Sequence, residues 1–421
     1  MIGIVVDGYS SGSVLARELR HAGCTLHHVR SSRHVPIPYR PTYDPSLYAT
    51  STVLEHRSPV PVKFLVGTQI DFVVAGSEPG VPLADQLAAH FGVSGNSPHT
   101  SLQRRNKALM MQRLRHCALP TVKELLVKAG GDVPGVPVDW FPVVVKPVDS
   151  AGSEDVRICK DQSAVEASVA HVLGKRNVFD VPNAGALIQE KLDGTQFMIN
   201  AMSKGGRHKI IEIWEETRLH TPEGHSVYDR EILKPSGFQR SVEIEDYVGR
   251  VLTALGTEFG PSHTELFLTA RGPILLESAS RMQGGIDGKA AYEALGYSHI
   301  SCTRDLLLDP NSFESKIRDR YSPCVHVMLV NFISRTAGIV RAVHLEKTVA
   351  SLPSFHSAKG IPRPGDRIEK TIDLVTKPGH VYLVHHDLGQ LELDYRAIRA
   401  FEDTEAIFEV TEEEGEFPSR R

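Results

Sequence analysis

Short apolar blocks and stretches of helical spacing alternate along the first 120 positions. Ile2 to Val6 reads as a buried strand, Gly8 to Ser13 as a turn, Val14 to Ala22 as an amphipathic helix and Cys24 to Val29 as a second strand. This β-α-β opening is Rossmann-like. Phe72 to Ala75 predicts a further parallel strand, and Pro82 to Phe91 a helix with Gly92 as its stop. The segment closes near Leu119-Pro120. Within Ser101 to Cys117, Leu102, Leu109, Met110 and Leu114 recur at helical spacing, which predicts one helix with its apolar face inward and basic residues on the other side.

In the middle of the chain, Val143 to Val145 is a β-branched run flanked by prolines and fits a buried strand ending near Lys146. A helix over Gln162 to Leu173 and a strand over Ala186 to Glu190 follow, with a sharp turn at Gly194. Phe197 to Met202 and Lys209 to Glu215 read as an antiparallel pair around the turn Lys204-Gly205-Gly206. A helix over Glu245 to Phe259 precedes two strands, Ser262 to Thr269 and Pro273 to Ser280, joined by Ala270-Arg271-Gly272. From about Asp309 the pattern turns to short strands such as Cys324 to Phe332 and Val381 to Val384, which predicts a small α+β domain. The acidic stretch Glu402 to Glu416 reads as a solvated helix and a loose terminus.

Composition narrows the classes. A chain of 421 residues is too long for one ordinary core and predicts two to four domains. With 51 acidic against 47 basic residues and a net charge of -4, there is no global attraction for nucleic acid or an anionic membrane. No apolar run approaches the roughly 18 residues of a membrane helix. The start M-I-G-I-V-V-D-G reads as a strand and turn, so a cytoplasmic enzyme is expected. The five cysteines show no C-x-x-C pair, and neither His27-His28 nor His385-His386 has the i, i+4 spacing of a zinc-protease helix. The glycines of D-G-Y-S-S-G-S do not match G-x-G-x-x-G, which argues against dinucleotide binding at the opening.

Two stretches carry chemistry. After Lys146, the small residues Ser150, Ala151, Gly152 and Ser153 leave backbone N-H groups free to close over a phosphate chain, with Lys107 able to reach the same phosphates across a cleft. A surface hairpin with one solvated lysine is the plainer alternative. On the later hairpin, Glu265 and Glu277 lie on facing strands and would repel unless a cation sat between them; hard oxygen donors suit Mg2+. Arg281 and the pair Gly284 and Gly285 follow, offering a guanidinium and exposed amides to an anion. An exposed hairpin with its glutamates in solvent is again the alternative.

V-V-K-P-V-D-S-A-G-S, Q-E-K-L-D-G and H-T-E-L-F-L-T-A-R-G-P-I-L-L-E-S-A-S-R-M-Q-G-G occur in the order and spacing of the ATP-grasp superfamily, and the resemblance covers about Met1 to Pro310. It implies an ATP-grasp fold of mixed α/β and α+β class: a Rossmann-like domain at 1–120, a two-part ATP clamp at 121–310 (a lid subdomain at 121–192, a central sheet with the metal carboxylates at 193–310), and an α+β domain at 311–421. It also implies that Lys107 and Lys146 contact phosphates, that Ser150, Gly152 and Ser153 belong to a mobile lid, and that backbone groups of Glu190 and Leu192 bind adenine. Gln196 stands where a ribose-binding acid is usual. The implied metal carboxylates are Glu265 and Glu277; the frequent E-x-N-x-R is here Glu277-Ser278-Ala279-Ser280-Arg281, and Ala279 cannot ligate.

The E-S-A-x-R variant resembles the bacilysin-type L-amino acid ligases, and the trailing domain is similar to theirs and to that of carnosine synthase. What it implies is ATP- and Mg2+-dependent activation of a carboxylate as an acyl phosphate, attacked by an amine with release of ADP, with Arg281 as the catalytic group. Asp229 in V-Y-D-R, with Tyr228 and Arg230 beside it, is a candidate for holding a substrate ammonium group, or else a loop residue; His263 either lines the same cavity or packs its strand. The expected partners are an amino-acid or carboxylate substrate, an amine acceptor and a second copy of the chain in a homodimer. Acylation of a carrier-protein thiol and a non-catalytic nucleotide-binding protein are the competing readings.

Overall fold

The computed structural model describes residues 1–54, 67–220, 226–311, 313 and 322–412. The chain divides into two compact units: Met1–Trp214, Lys234–Gly288 and Tyr297–Ser322 form one, and Glu215–Leu233, Lys289–Gly296 and Pro323–Arg421 the other.

In the first unit, β1 (Ile2–Val6), α1 (Ser11–His21), β2 (Thr25–Arg30), β3 (Thr50–Val53), β4 (Phe72–Ala75) and α2 (Val81–Phe91) build a parallel sheet of order β3-β2-β1-β4. Its strands read as continuous apolar runs because both faces are covered. Ile4 and Val6 pack under Leu83 and Leu87 of α2, while Val5 and Val74 pack under Leu15 and Leu19 of α1. Chain order reverses beside β1, which sets the segments Gly8–Ser10 and Ser77–Gly80 side by side at the carboxyl ends of β1 and β4. The two strand ends touch closely there: a Cβ on Gly76 would lie 2.6 Å from the Gly8 Cα.

Two expectations need correction in this part. The helix α1 begins at Ser11, inside the expected turn. The single helix expected over Ser101 to Cys117 is a 3-10 segment, Pro98–Arg104, followed by α3 (Lys107–His116). Asn106 accepts the Leu109 amide at 3.1 Å and restarts the register, so Met110, Met111 and Leu114 are buried while Leu102 and Leu109 are 61% and 37% exposed.

Next come β5 (Glu124–Lys128), β6 (Val143–Pro147), β7 (Arg157–Cys159), α4 (Gln162–Leu173) and β8 (Gly185–Glu190), an antiparallel sheet of order β5-β8-β6-β7. Val143 and Val145 of β6 meet Val165, Val169 and Val172 of α4 in one core. A third layer uses β9 (Thr195–Lys204) and β10 (Arg207–His220), joined at Gly205 and Gly206 with φ of 57° and 71°. The strand β10 then runs on into the second unit, where β11 (Ser226–Leu233) follows it. Back in the first unit, α5 (Ser241–Ala254) leads to β12 (Phe259–Thr269) and β13 (Gly272–Ala279), giving the order β13-β12-β9-β10. The helix expected to reach Phe259 ends earlier because Gly256 takes a φ of 66°, which leaves Phe259 to open β12. The helices α6 (Gly288–Leu295) and α7 (His299–Leu308) were not expected from the pattern.

In the second unit, β14 (His326–Asn331) pairs antiparallel with β11, and β15 (Gly338–Val343), β16 (Phe355–Lys359), β17 (Arg367–Ile368) and β18 (His380–His385) complete two small antiparallel groups. The helix α8 (Leu388–Asp403) contributes Leu391 and Ile398 to a core with Met328, Val330, Phe332 and Leu383. The acidic stretch is not a solvated helix. Its first residues end α8, and Phe408 and Val410 carry β19 (Phe408–Glu412) onto β15, their side chains joining that core; residues 413–416 lie outside the described residues. Among the described residues, no helix is long and apolar enough to cross a membrane.

Candidate active site

The hairpin of β12 and β13 places Glu265 directly opposite Glu277, with a register irregularity immediately after Glu265. Cross-strand partners in an antiparallel pair share one face, so both carboxylates point the same way. Around them the first unit assembles positive charge. Lys107, the first residue of α3, brings its Nζ to 2.5 Å from Glu277 Oε2 and donates to the Ser150 carbonyl at 2.7 Å. Lys146, on β6, is 8% exposed, and no hydrogen bond or ion pair to it occurs among the described residues. Burial, then the neighbouring Lys107 charge, pulls the Lys146 ammonium down to about 8, against the attraction of Glu277 and Glu265. Burial opposes the charge on Glu277 as well, but Lys107, Lys146 and Arg281 outweigh it and hold the carboxyl at about 2.

The loop after β6 turns through Gly152 at a φ of 70° and Ser153 at 60°, the latter a backbone state rare for a residue with a Cβ. Its base is pinned. The Ser150 hydroxyl donates to Glu154 at 2.5 Å, and Glu154 in turn accepts the Val178 amide at 2.6 Å. At the end of β8, Glu190 gives its amide to the Lys123 carbonyl at 3.0 Å, and its carboxylate accepts from Arg271 at 2.8 Å and from the Lys123 amide at 3.0 Å; Leu192 is buried beside it. On β9, Gln196 donates to Glu265 at 3.3 Å.

Behind the carboxylates lies a buried polar chain. The His263 Nε2 is 3.4 Å from Glu265, and its Nδ1 is 2.9 Å from Asn200 Oδ1. Asn200 donates to Glu212 at 2.7 Å and to Gln283 at 2.8 Å, and Trp214 donates to Glu212 at 3.0 Å. Burial raises the Glu212 carboxyl, and its Trp214, Asn200 and His299 hydrogen bonds oppose that rise. Beyond β13, Arg281 donates to Glu78 at 2.6 Å and to the Met282 carbonyl at 2.9 Å, and Gly285, with a φ of 70°, gives its amide to the Ser10 hydroxyl at 3.0 Å.

The stretch 140–289 matches the family model described as an ATP-grasp domain. Residues 140–289 are an ATP-grasp domain. The chain is 27% identical to dapdiamide A synthase of Enterobacter agglomerans, over 96% of each protein. Its fold is similar to that of an L-amino acid ligase from Bacillus licheniformis, with a TM-score of 0.76 at 19% identity over 98% of both chains. It is also similar to a carboxyaminoimidazole ribonucleotide synthase from Aspergillus clavatus complexed with ATP, with a TM-score of 0.66 at 14% identity over 96% of this chain and 98% of that one.

The donor set of the ATP-grasp domain fits a metal shared with phosphates. Among the described residues, no group of three His, Cys, Asp or Glu side chains is arranged to hold an ion by itself. Mg2+ commonly takes one or two carboxylates and completes its shell with phosphate oxygens and water, and two facing glutamates beside the buried Lys146 ammonium suit that arrangement.

Of the residues singled out from sequence, the structure brings Lys107, Lys146, Gln196, Glu265 and Glu277 together. Asp229 belongs to the second unit, where its carboxylate accepts from Arg399 at 2.6 Å and from Tyr395 at 2.9 and 3.0 Å. Arg230 pairs with Glu392 at 2.8 Å in the same unit. An acid so engaged has little left to offer a substrate ammonium group, so Asp229 reads here as a structural acid. Sequence reasoning missed Glu78, Arg105, Asn200 and Glu212. The available signal for Glu78 was positional: it follows β4 at the carboxyl end of a parallel sheet, beside β1.

Proposed function

We propose that the chain is an ATP-dependent, ADP-forming ligase that joins a carboxylate to an amine, with L-amino acids as its substrate class, in the biosynthesis of a specialised metabolite. The observation that carries this reading is the pairing of Glu265 with Glu277 beside Lys146, a buried ammonium with no hydrogen-bond acceptor among the described residues. The likeness to dapdiamide A synthase along nearly the whole chain supports a biosynthetic ligase, and the fold shared with an L-amino acid ligase supports the substrate class.

Bound here, ATP with Mg2+ supplies the phosphoryl group that makes a carboxylate reactive toward an amine. Glu265 and Glu277 would hold the metal. Lys146 and Lys107 neutralise phosphate charge in a place already shielded from water, where each opposite charge counts for more. The small residues of Ser150 to Ser153 let backbone amides close over the phosphates, and Glu190 with Leu192 frames the base. Arg281 stabilises negative charge developing on the substrate oxygen, and Gly284 and Gly285 let the main chain approach it. No protein nucleophile is required; the chain's work is charge neutralisation and positioning.

The test is ADP and phosphate release across an array of amino acids, singly and in pairs. Release that needs two amino acids supports the ligase. Release that needs one plus a carrier protein supports thioester formation instead, and none with any combination leaves a nucleotide-binding protein.

A further inference from the structure

Arg281 is joined to the loop below Ser150 by a line of charged side chains. Its Nε donates to Glu78 Oε2 at 2.6 Å. The other oxygen of Glu78, Oε1, lies 3.5 Å from Arg105 Nη1, and that same nitrogen is 2.7 Å from Asp149 Oδ1. The side chains of Arg281, Glu78 and Arg105 are 12%, 8% and 10% exposed, so this part of the line is not a loose surface network, while Asp149 at its end is 38% exposed. Arg105 is further fixed by the Phe179 ring, whose centroid is 4.7 Å from its guanidinium carbon. Glu78 is fixed by its backbone: a Cβ on Gly80 would lie 2.8 Å from the Val6 carbonyl, so the Ser77–Gly80 turn sits hard against the end of β1.

The line closes on itself. Asp149 precedes Ser150, whose carbonyl accepts from Lys107, and Lys107 pairs with Glu277, four residues before Arg281 on the same chain segment. The base of the phosphate loop and the direction of the Arg281 guanidinium are therefore set by the same two residues.

Resting on the ligase reading above, we infer that Glu78 and Arg105 are positioning residues: they couple the placement of the phosphate loop to the orientation of Arg281 toward the reacting carboxylate. Arginine is the residue this needs. One planar guanidinium meets two carboxylates while stacking on a ring, which a lysine ammonium cannot do.

The experiment compares wild type with Glu78→Gln, Glu78→Asp and Arg105→Lys, each also on an Arg281→Lys background. Glu78→Gln is expected to lower kcat about 30-fold or more while the Kd for ATP changes less than about threefold, since small misplacements at a reacting centre cost up to about 10²-fold. Glu78→Asp, which keeps the charge, recovers part of the loss. On the Arg281→Lys background Glu78→Gln costs less than about twofold, because residues acting through one another are not additive. An undiminished cost on that background, or a kcat within about threefold of wild type for Glu78→Gln, overturns the inference. A second readout needs no turnover: ATP with Mg2+ is expected to protect amides 149–156 from hydrogen exchange in wild type and to protect them about half as well in Arg105→Lys, with equal protection counting against the coupling. Wild type that binds ATP but ligates no amino acid defeats the ligase reading alone; the exchange comparison then still decides the coupling.

Discussion

In the second unit Asp229 is held by Arg399 and Tyr395, and Arg399 also reaches Glu402 at 2.6 Å. In the first unit Lys146 is similarly buried and has no partner of that kind among the described residues. Burial disfavours the charge on Arg399, but Glu402 and then Asp229 overcome it and raise its affinity for the proton; burial and Lys107 lower that of Lys146. A charge cluster whose members satisfy one another stabilises the fold and has nothing to offer a ligand. A cluster that leaves an ammonium short of acceptors gives up stability and keeps a place for an anion.

The largest effect separates reaction from fold. Arg281→Ala is expected to cut ADP formation by about 10²- to 10³-fold while ATP binding stays nearly intact, as for loss of a donor aimed at developing charge. The fold should survive because Glu78 keeps Arg105 as a partner. Retained turnover in a coupled ADP assay would remove Arg281 from its role. Next in size, Arg399→Ala leaves Asp229 and Glu402 buried without their cation, and thermal or urea unfolding should show a loss of about 3–5 kcal/mol. A loss below about 1 kcal/mol would break the contrast, since Asp229 would then be free enough to serve a ligand.

The same contrast explains what could be read along the chain. The strands bearing Lys146, Glu265 and Glu277 were legible as local apolar runs, but the facing of the two glutamates is reached by a different route: the connection is the two residues Ala270-Arg271 rather than three, and the register shift after Glu265 brings it opposite Glu277. Asp229 is misleading for the opposite reason. It lies on the strand β11 rather than in a loop, and what its carboxylate meets is Arg399, 170 residues later, which no local pattern reveals. Glu78 and Arg105 are hidden the same way, since the partner that gives Glu78 its role is 203 residues further on. Leu102 and Leu109 show the limit of periodicity itself: Asn106 resets the helix between them.

A middling effect comes from Lys146. Replacing it with Met should weaken ATP binding about 10- to 100-fold, as expected for a hydrogen bond to a charged group, without lowering the melting temperature. The pH dependence has a definite sign. In the unfolded chain the lysine keeps its proton to about 10.5 and in the folded chain only to about 8, so between these values the unfolded state binds more protons and stability climbs with pH. Lys146→Met should flatten part of that climb; Lys377, also pulled down to about 8 by burial, supplies another part. ATP affinity runs the other way and should fall as pH rises through about 8, when the ammonium is lost. Titration calorimetry at pH 7 and pH 9 checks this, and equal affinity at both would mean that Lys146 does not meet the phosphates.

The smallest effect concerns Gln196. Its amide reaches Glu265 at 3.3 Å, a long contact to a carboxylate that is 19% exposed, so water can replace much of it. Gln196→Ala should therefore raise the KM for ATP only about threefold, near the lower range of a net hydrogen bond. Two roles predict different companions to that small change. If Gln196 steadies Glu265, the Mg2+ concentration for half-maximal rate rises in the variant and discrimination between ATP and 2′-deoxy-ATP does not move. If it reads the ribose, the discrimination shrinks and the Mg2+ dependence stays put. The observed bond points toward Glu265, so the first pattern is expected, and the second would return Gln196 to the sugar.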